Sequence, residues 1–454
     1  MEDPQRWDVA VFRYPLSTLV NYVKRLVGMP GESVSIIHGD IYVAPKHESS
    51  FTIARKRPEL QEAIFRKNPV IPLEATEDFR VSTFKDWWEL QNANRFIDQE
   101  AGVLHLDAGK APLIVRSKLR ITSERRDPNA ADRSGRVDAQ QPHPVGDLKF
   151  LVEIAPESGA GALVLEIRDC TQPTQPIRLT LAVEGGAPKT SLKHGSQEIA
   201  DQKLAATHLP VGEESTVALI NVDDQIRVEL NGETIFSWDY VQSTERPRLG
   251  NSQVSFGLTR GKATFDRIAL YRDLFYTLYP GTPQAPFRIP DGHYFFLGDN
   301  SPNSLDARGW RVVGIRLREN GRIVLGDMEA VSDELSSQRR SSNPWLEGDE
   351  PHFIDIRGNH WNLAGRAFDI LDLKAFQNPG DVGLLELHGT LLENPGRDEL
   401  AYADIQLPEL RKILAHQQAP FQDFSRLIHY VPRADVVGRA FFVFWPPQRV
   451  GIIR

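Results

Sequence analysis

Short apolar runs, broken every few residues by Gly, Pro, Asn or Asp, make up most of this 454-residue chain, and few of them carry a helical period. Val9, Val11 and Phe12 form one such run, which ends at Tyr14-Pro15. Residues 19–27 form a second, stopped by Gly28-Met29-Pro30-Gly31. Residues 34–37 and 41–43 flank His38-Gly39-Asp40, which is hairpin turn chemistry. Only residues 55–67 (RKRPELQEAIFRK) place apolar positions at a loose helical spacing before the texture changes near residue 75. Strand-like runs then recur at 102–107, 113–116, 147–154, 162–168, 177–183, 214–222, 225–230, 233–238, 252–258 and 262–271. The turns between them are rich in Gly, Asp, Asn and Pro, and Asn231-Gly232 is a strong two-residue hairpin signal. Many short alternating strands at this spacing predict a β-sandwich.

From residue 273 the pattern reverts to that of the first 70 residues. The apolar run 294–297 turns abruptly into Gly298-Asp299-Asn300, and Asn303, Ser304, Asp306 and Arg308 follow closely. Short polar side chains crowded into a tight turn can fix one another and the backbone, which marks a candidate site. A possible partner lies far upstream in Lys24, a lysine inside an apolar strand, where an unused charge is costly. Residues 316–427 carry Pro, Gly and Asn breaks and predict one helix, at 407–417. The C-terminal stretch 430–445 closes with Val-Pro and the apolar run VVGRAFFVFW.

Composition narrows the function classes. With 41% hydrophobic residues the chain can bury two or three cores, and 25% charged residues is not a disordered composition. A net charge of −8, from 53 basic and 61 acidic residues, argues against a general nucleic-acid binder. A single cysteine, Cys170, excludes an intrachain disulfide and any multi-cysteine metal centre. His352, His360 and His388 follow no metal-binding spacing, so no metal or cofactor is expected. The run 436–445 is too short to span a bilayer, and the N-terminus lacks a basic-then-apolar leader. Trp87-Trp88 is a candidate sugar-stacking pair, although buried sandwich aromatics account for it as well.

Three stretches resemble type I signal peptidases, membrane-bound serine endopeptidases that use a Ser–Lys dyad: Arg6-Trp7-Asp8-Val9, Asn21 onward through Lys24-Arg25-Leu26-Val27-Gly28-Met29-Pro30-Gly31, and Gly298-Asp299-Asn300 through Arg308. The resemblance implies that Lys24 is the general base and that Ser304 orients its amine. Such a base has to be neutral, and apolar neighbours penalise the ammonium form. Asp306 and Arg308 match a supporting ion pair, Asp299 and Asn300 build the turn, and Val11, Tyr22 and Val23 match substrate-binding positions. Ser301 stands where the family commonly has arginine, Ala307 where it has serine, and Trp7 where it has glycine. The family's Ser-Met-x-Pro nucleophile segment precedes the Arg-x-Asp-Val strand. Only five residues precede Arg6, so the nucleophile is unknown, the chain is expected to be N-terminally incomplete, and as written it is expected to be inactive. Ser17 and Ser33 lie near Lys24 in sequence, but in turn-like contexts. The run from 224 to 271 resembles the closing strands of concanavalin-type, laminin-G-like jelly rolls.

The expected fold is therefore mainly β: a signal-peptidase-like β domain interrupted by a jelly-roll-like β-sandwich and by a second, α+β insertion. The first domain takes residues 1–70, 275–315 and 428–454, the sandwich 75–274, and the second insertion 316–427. The resemblance implies cleavage of leader peptides from exported proteins at the outer face of the cytoplasmic membrane, held there by an N-terminal anchor missing from these residues. The alternative expectation is a non-catalytic module whose sandwich binds a glycan or a protein, built on a peptidase remnant. No nucleic-acid partner is expected on either reading.

Overall fold

The computed structural model describes residues 3–15, 17–45, 48, 50–67, 88–90, 97–100, 103–117, 121, 143–241, 250–278, 286–299, 301, 304–310, 312–319, 323–327, 345–347, 350–355, 360–366, 368–377, 385–392, 402–405, 430–440, 442–443 and 451–452. The protein is mainly β, and it divides into two compact units. One comprises Met1–Ile36, Ile41–Ala54 and Tyr276–Arg454, the other Ile37–Asp40 and Arg55–Phe275.

In the first unit five antiparallel strands form a sheet in the order Val431–Pro432, His293–Leu297, Ser17–Gly28, Val9–Tyr14, Val436–Arg439. Residues distant in sequence thus meet because their alternating apolar positions share one buried face. Phe12 stacks on Phe296 with ring centroids 4.5 Å apart, and Trp310 meets Tyr14 edge-on at 5.3 Å. A smaller sheet runs Phe287–Arg288, Glu32–Ile37, Asp40–Pro45, Thr52–Ile53. Its hairpin turns through His38 and Gly39, at φ of 53° and 99°, the left-handed conformation that a tight two-residue connection needs. Within 316–427 the described elements are strands, including Val312–Leu317, Ile323–Asp327, Phe368–Gln377, Leu385–Leu392 and Tyr402–Ile405 in one sheet. The helix expected at 407–417 lies outside the described residues.

The second unit is a two-sheet sandwich. One sheet runs Gln197–Glu198, Ser191–His194, Ile177–Ala182, Ala162–Arg168, Gln253–Leu258, Leu113–Ser117, Trp88–Leu90. The other runs Glu233–Asp239, Gln225–Leu230, Ser215–Val222, Leu148–Pro156, Gly261–Arg272, Val103–Gly109, Ile97–Glu100, with Arg66–Lys67 also paired to Gly261–Arg272. Alternate residues of both sheets, such as Phe150, Leu165, Phe256 and Phe265, fill one apolar core. Trp88 is part of that core, at 3% exposure and edge-on to Phe256, and so is not a surface platform; Trp87 lies outside the described residues.

The helix of the 55–67 patch is Pro58–Ile64, started by a proline at its first turn. It lies with the sandwich, so the boundary falls after Ala54 rather than near residue 70. The physical reason is a set of polar and apolar anchors. Phe65 packs on Ala218, Ile220 and Val222. Gln61 donates from Nε2 to Asp223 at 2.8 Å and accepts from Arg227 at 2.6 Å.

Beside Gln61 sits a buried ion cluster. Lys56, 4% exposed, pairs with Asp223 and lies 2.8 Å from Asp273. A carboxylate oxygen from each of Asp40, Asp147, Asp223 and Asp273 lies within 4.8 Å of the others. Four carboxyls share one ammonium, so burial and mutual repulsion raise the proton affinity of three of them. Asp40 and Asp147 are held well above the ordinary carboxylate range and Asp273 above it, each chiefly by burial. Although burial opposes it, the carboxylates around Lys56 hold its ammonium well above the ordinary lysine value.

Groups whose folded-state proton affinity is raised contribute stability below their unfolded pKa, about 3.9 for Asp, and lose it as pH rises through the folded value. The melting temperature of the sandwich transition should therefore climb as pH falls from 8 to 5.5, and Asp40→Asn should flatten that slope. A melting temperature that falls steadily over this range in calorimetry would refute the assignment. Lys56→Met should cost about 3–5 kcal/mol at pH 7, because it leaves the carboxylates without their cation.

Candidate active site

The strand Ser17–Gly28 carries the site because it is shared between two neighbours. Val9–Tyr14 pairs along its length, with Ala10 opposite Lys24 and Phe12 opposite Tyr22. His293–Leu297 pairs only with its end, from Arg25 to Gly28. Lys24 therefore sits where one sheet neighbour stops and the chain turns away through Gly298 and Asp299.

The Lys24 side-chain nitrogen donates to the Ser304 hydroxyl at 2.8 Å. Ser304 is 6% exposed, and Lys24 is half-buried with its nitrogen 5.6 Å from the centre of the Tyr22 ring. Gly298 makes this approach possible. A Cβ there would fall 1.9 Å from Ser304 Oγ and 3.4 Å from Lys24 Nζ, so no side chain fits.

The two nearby carboxylates are each held by an arginine. Arg25, 3% exposed, makes a bidentate pair with Asp299 through Nε at 2.8 Å and Nη2 at 2.7 Å, and donates from Nη1 to the Trp7 carbonyl. Asp306 is fully buried and accepts from Arg308 Nε and Nη2 at 2.8 and 2.6 Å, and from the Gly298 amide at 2.9 Å. Such two-point pairs fix orientation as well as charge. Arg308 also donates to the Ser301 hydroxyl at 2.6 Å, and Ser301 accepts from the Thr277 amide at 2.9 Å. A small hydroxyl residue at 301 thus ties the loop to the adjoining segment.

Ala307 is fully buried, its amide on the Phe296 carbonyl at 3.3 Å. Trp7 has φ of 77°, a left-handed conformation that favours glycine and costs a tryptophan roughly 1–2 kcal/mol. Arg6 reaches Glu32 at 2.6 Å and the Val27 carbonyl at 2.6 Å, which fastens the first strand to the Gly-Met-Pro-Gly turn.

A pocket of about 310 Å³ opens over this arrangement, lined by Val9, Val23, Lys24, Arg25, Gly298, Asp299 and Ser304. Of the positions expected to bind substrate, Val23 lines it and is 54% exposed. Val11 faces Val23 across the strand pair, and Tyr22 lies on the opposite face beneath the lysine; neither lines the pocket. Asn300 lies outside the described residues, as does the side chain of Ser17. Ser33, 8% exposed, sits in the strand Glu32–Ile37.

Two contributors escaped the sequence reading: Arg25, whose clamp on Asp299 needs a partner 274 positions away, and Gly298, which reads as an ordinary turn glycine. Among the described residues the one grouping of metal-ligand type is the Asp40, Asp147, Asp223, Asp273 cluster, where Lys56 supplies the positive charge.

The family model described as signal peptidase, peptidase S26, matches residues 1–90 and 224–322. Signal peptidase I of Pseudomonas aeruginosa is 62% identical over 32 residues, 7% of this chain and 11% of that protein. Signal peptidase I of Rickettsia typhi is 43% identical over 44 residues, 10% of this chain and 17% of that protein. The chain thus spans less than a fifth of the length of these curated relatives. Among solved structures, the Emp46p carbohydrate recognition domain covers 45% of this chain and 98% of its own at 10% identity and a TM-score of 0.30. The carbohydrate binding module CBM66 from Bacillus subtilis covers 40% and 94% at 11% identity and a TM-score of 0.27. The similarity to type I signal peptidases is carried by the family model and the curated relatives alone.

Gly298→Ala should push Ser304 away and break its bond to Lys24, at a cost of about 1–3 kcal/mol. Removing the obstructing hydroxyl in a Gly298→Ala, Ser304→Gly double variant should restore most of that stability. A crystal structure of the single variant with Nζ and Oγ still within 3.2 Å would contradict this account.

Proposed function

We propose that this chain carries the base half of a signal-peptidase-type serine endopeptidase site, with Lys24 as general base and Ser304 orienting its amine. The supporting observation is the 2.8 Å bond between them at the end of a strand that offers a pocket and a backbone edge. A neutral amine has two N–H donors and one lone pair. With one N–H spent on Ser304, the amine is held in orientation and its lone pair remains to take a proton from an attacking serine hydroxyl.

The charge environment supports this role. Arg25 occupies both oxygens of Asp299, and Arg308 both oxygens of Asp306. These two-point pairs hold the loop that carries Ser304 in a fixed position against Lys24. The serine oxygen would attack the scissile carbonyl, the lysine would pass its proton to the departing amine, and water would then hydrolyse the acyl-enzyme ester. The attacking serine is not assigned among the described residues.

The substrate fits as an added strand. Among the described residues, Ser17–Gly28 is paired on the side away from Val9–Tyr14 only from Arg25 onward, which leaves the edge up to Lys24 for an extended peptide. Such a peptide would place a small side chain in the pocket beside Val23. Leader peptides of exported proteins are the substrates we infer, and the outer face of the cytoplasmic membrane the location. Among the described residues no helix is long and apolar enough to cross a membrane.

A labelled peptide with alanines three and one positions before the cleavage point should bind this chain, and Val23→Arg should weaken binding at least tenfold. Lys24→Met should leave peptide affinity within about threefold. In whatever length of the protein cleaves the peptide, Lys24→Met should lower kcat by about a hundred- to ten-thousandfold. Unchanged cleavage by the methionine variant would remove Lys24 from the chemistry.

A further inference from the structure

Ser304 lies in the chain between two residues, Ser301 and Asp306, that are held by the same guanidinium. Arg308 is buried, and every N–H donor of its head group is engaged. Nε and Nη2 donate to the two oxygens of Asp306 at 2.8 and 2.6 Å. Nη2 also reaches the Ser301 carbonyl at 3.1 Å. Nη1 donates to the Ser301 hydroxyl at 2.6 Å and to the Thr277 carbonyl at 2.5 Å. Residue 301 thus offers Arg308 two acceptors, and one of them is its side chain.

The Ser301 side chain has no spare valence. A hydroxyl carries two lone pairs and one hydrogen. Ser301 Oγ accepts from the Thr277 amide at 2.9 Å and from Arg308, which leaves its hydrogen for the Thr277 hydroxyl oxygen 3.4 Å away. The residue is 3% exposed, so no solvent replaces these partners when the hydroxyl is removed. An apolar side chain there would strand two buried donors, the Thr277 amide and one N–H of Arg308. Thr277 belongs to the segment, beginning at Tyr276, by which the chain returns to the first unit. The family commonly has arginine at position 301, so the resemblance that named Lys24 and Ser304 did not point to this residue.

We infer that Ser301 is a positioning residue for the Lys24–Ser304 pair, acting through Arg308 with the Thr277 backbone as its anchor. The route is short. Ser301 and Thr277 fix the guanidinium, which fixes both oxygens of Asp306, and Asp306 accepts from the Gly298 amide at 2.9 Å. Gly298 in turn leaves the space in which Ser304 Oγ meets Lys24 Nζ. Loss of the Ser301 hydroxyl loosens this chain at its far end without touching the pocket lining, so it disturbs the amine's alignment and spares peptide binding. The inference rests on the peptidase reading, since it concerns the alignment of the same base.

In the length of the protein that cleaves the labelled peptide, Ser301→Ala should lower kcat about ten- to a hundredfold and leave KM within about threefold. Ser301→Thr, which keeps the hydroxyl, should recover most of the lost kcat. In a Lys24→Met background Ser301→Ala should cause no further loss, because the residue acts through the lysine. If the alanine variant does not fold, Ser301→Cys, a weaker acceptor of similar size, should show the same split between kcat and KM. On the present chain, with no turnover needed, Ser301→Ala should speed amide hydrogen exchange at Gly298 at least tenfold and leave the amides of Val9–Tyr14 unchanged. An unchanged kcat, a loss confined to KM, a further loss in the Lys24→Met background, a threonine variant no better than alanine, or unaltered exchange at Gly298 would each overturn the inference. Cleavage that survives Lys24→Met removes the peptidase reading itself, whereas cleavage lost with Lys24→Met and kept with Ser301→Ala overturns this inference alone.

Discussion

The candidate site depends on one hydrogen bond between segments 280 positions apart, held by two arginine–carboxylate clamps. Lys24 gains its orientation from one neutral hydroxyl, Ser304, at 2.8 Å. The nearby acids, Asp299 and Asp306, are each committed to an arginine through two oxygens. These pairs therefore do more than stiffen a loop. They fix the position of the turn that presents Ser304 to Lys24. Gly298 completes the arrangement, because any side chain there would occupy the space where hydroxyl and amine meet.

Lys56 shows the opposite use of the same side chain. It is buried among four carboxyl groups, two of which it touches directly, and they hold its ammonium well above the ordinary lysine value. Lys24 meets a neutral hydroxyl at the mouth of a pocket, whereas Lys56 is enclosed by carboxyl groups, and this difference separates a candidate base from a structural cation. Burial alone does not distinguish them, since desolvation opposes the charge of Lys56 and is outweighed by its neighbours.

Much of the fold was legible because the sandwich strands alternate cleanly. Runs such as 147–154, 162–168 and 225–230 correspond to Leu148–Pro156, Ala162–Arg168 and Gln225–Leu230, and Asn231-Gly232 turns with φ of 52° and 82°. The edge strands Ser191–His194 and Gln197–Glu198 went unread because two to four half-exposed residues leave too short a period. The helical patch at 55–67 was legible as a helix but not as part of the sandwich, since its anchors Asp223 and Arg227 lie more than 160 positions downstream.

By itself the sequence determined the β character, the turn positions, and the two motifs that hold Lys24 and Ser304, because these are written in neighbouring residues. Only the tertiary structure decided that Arg25 clamps Asp299, that Gly298 is required for a close approach, and that Trp7 adopts a left-handed conformation. It also decided that four carboxyl groups gather around Lys56. The physical reason is common to all of these. Each is a relation between side chains or backbone segments set by strand pairing across long intervals of chain, and local pattern fixes which face a residue takes without fixing what it meets there.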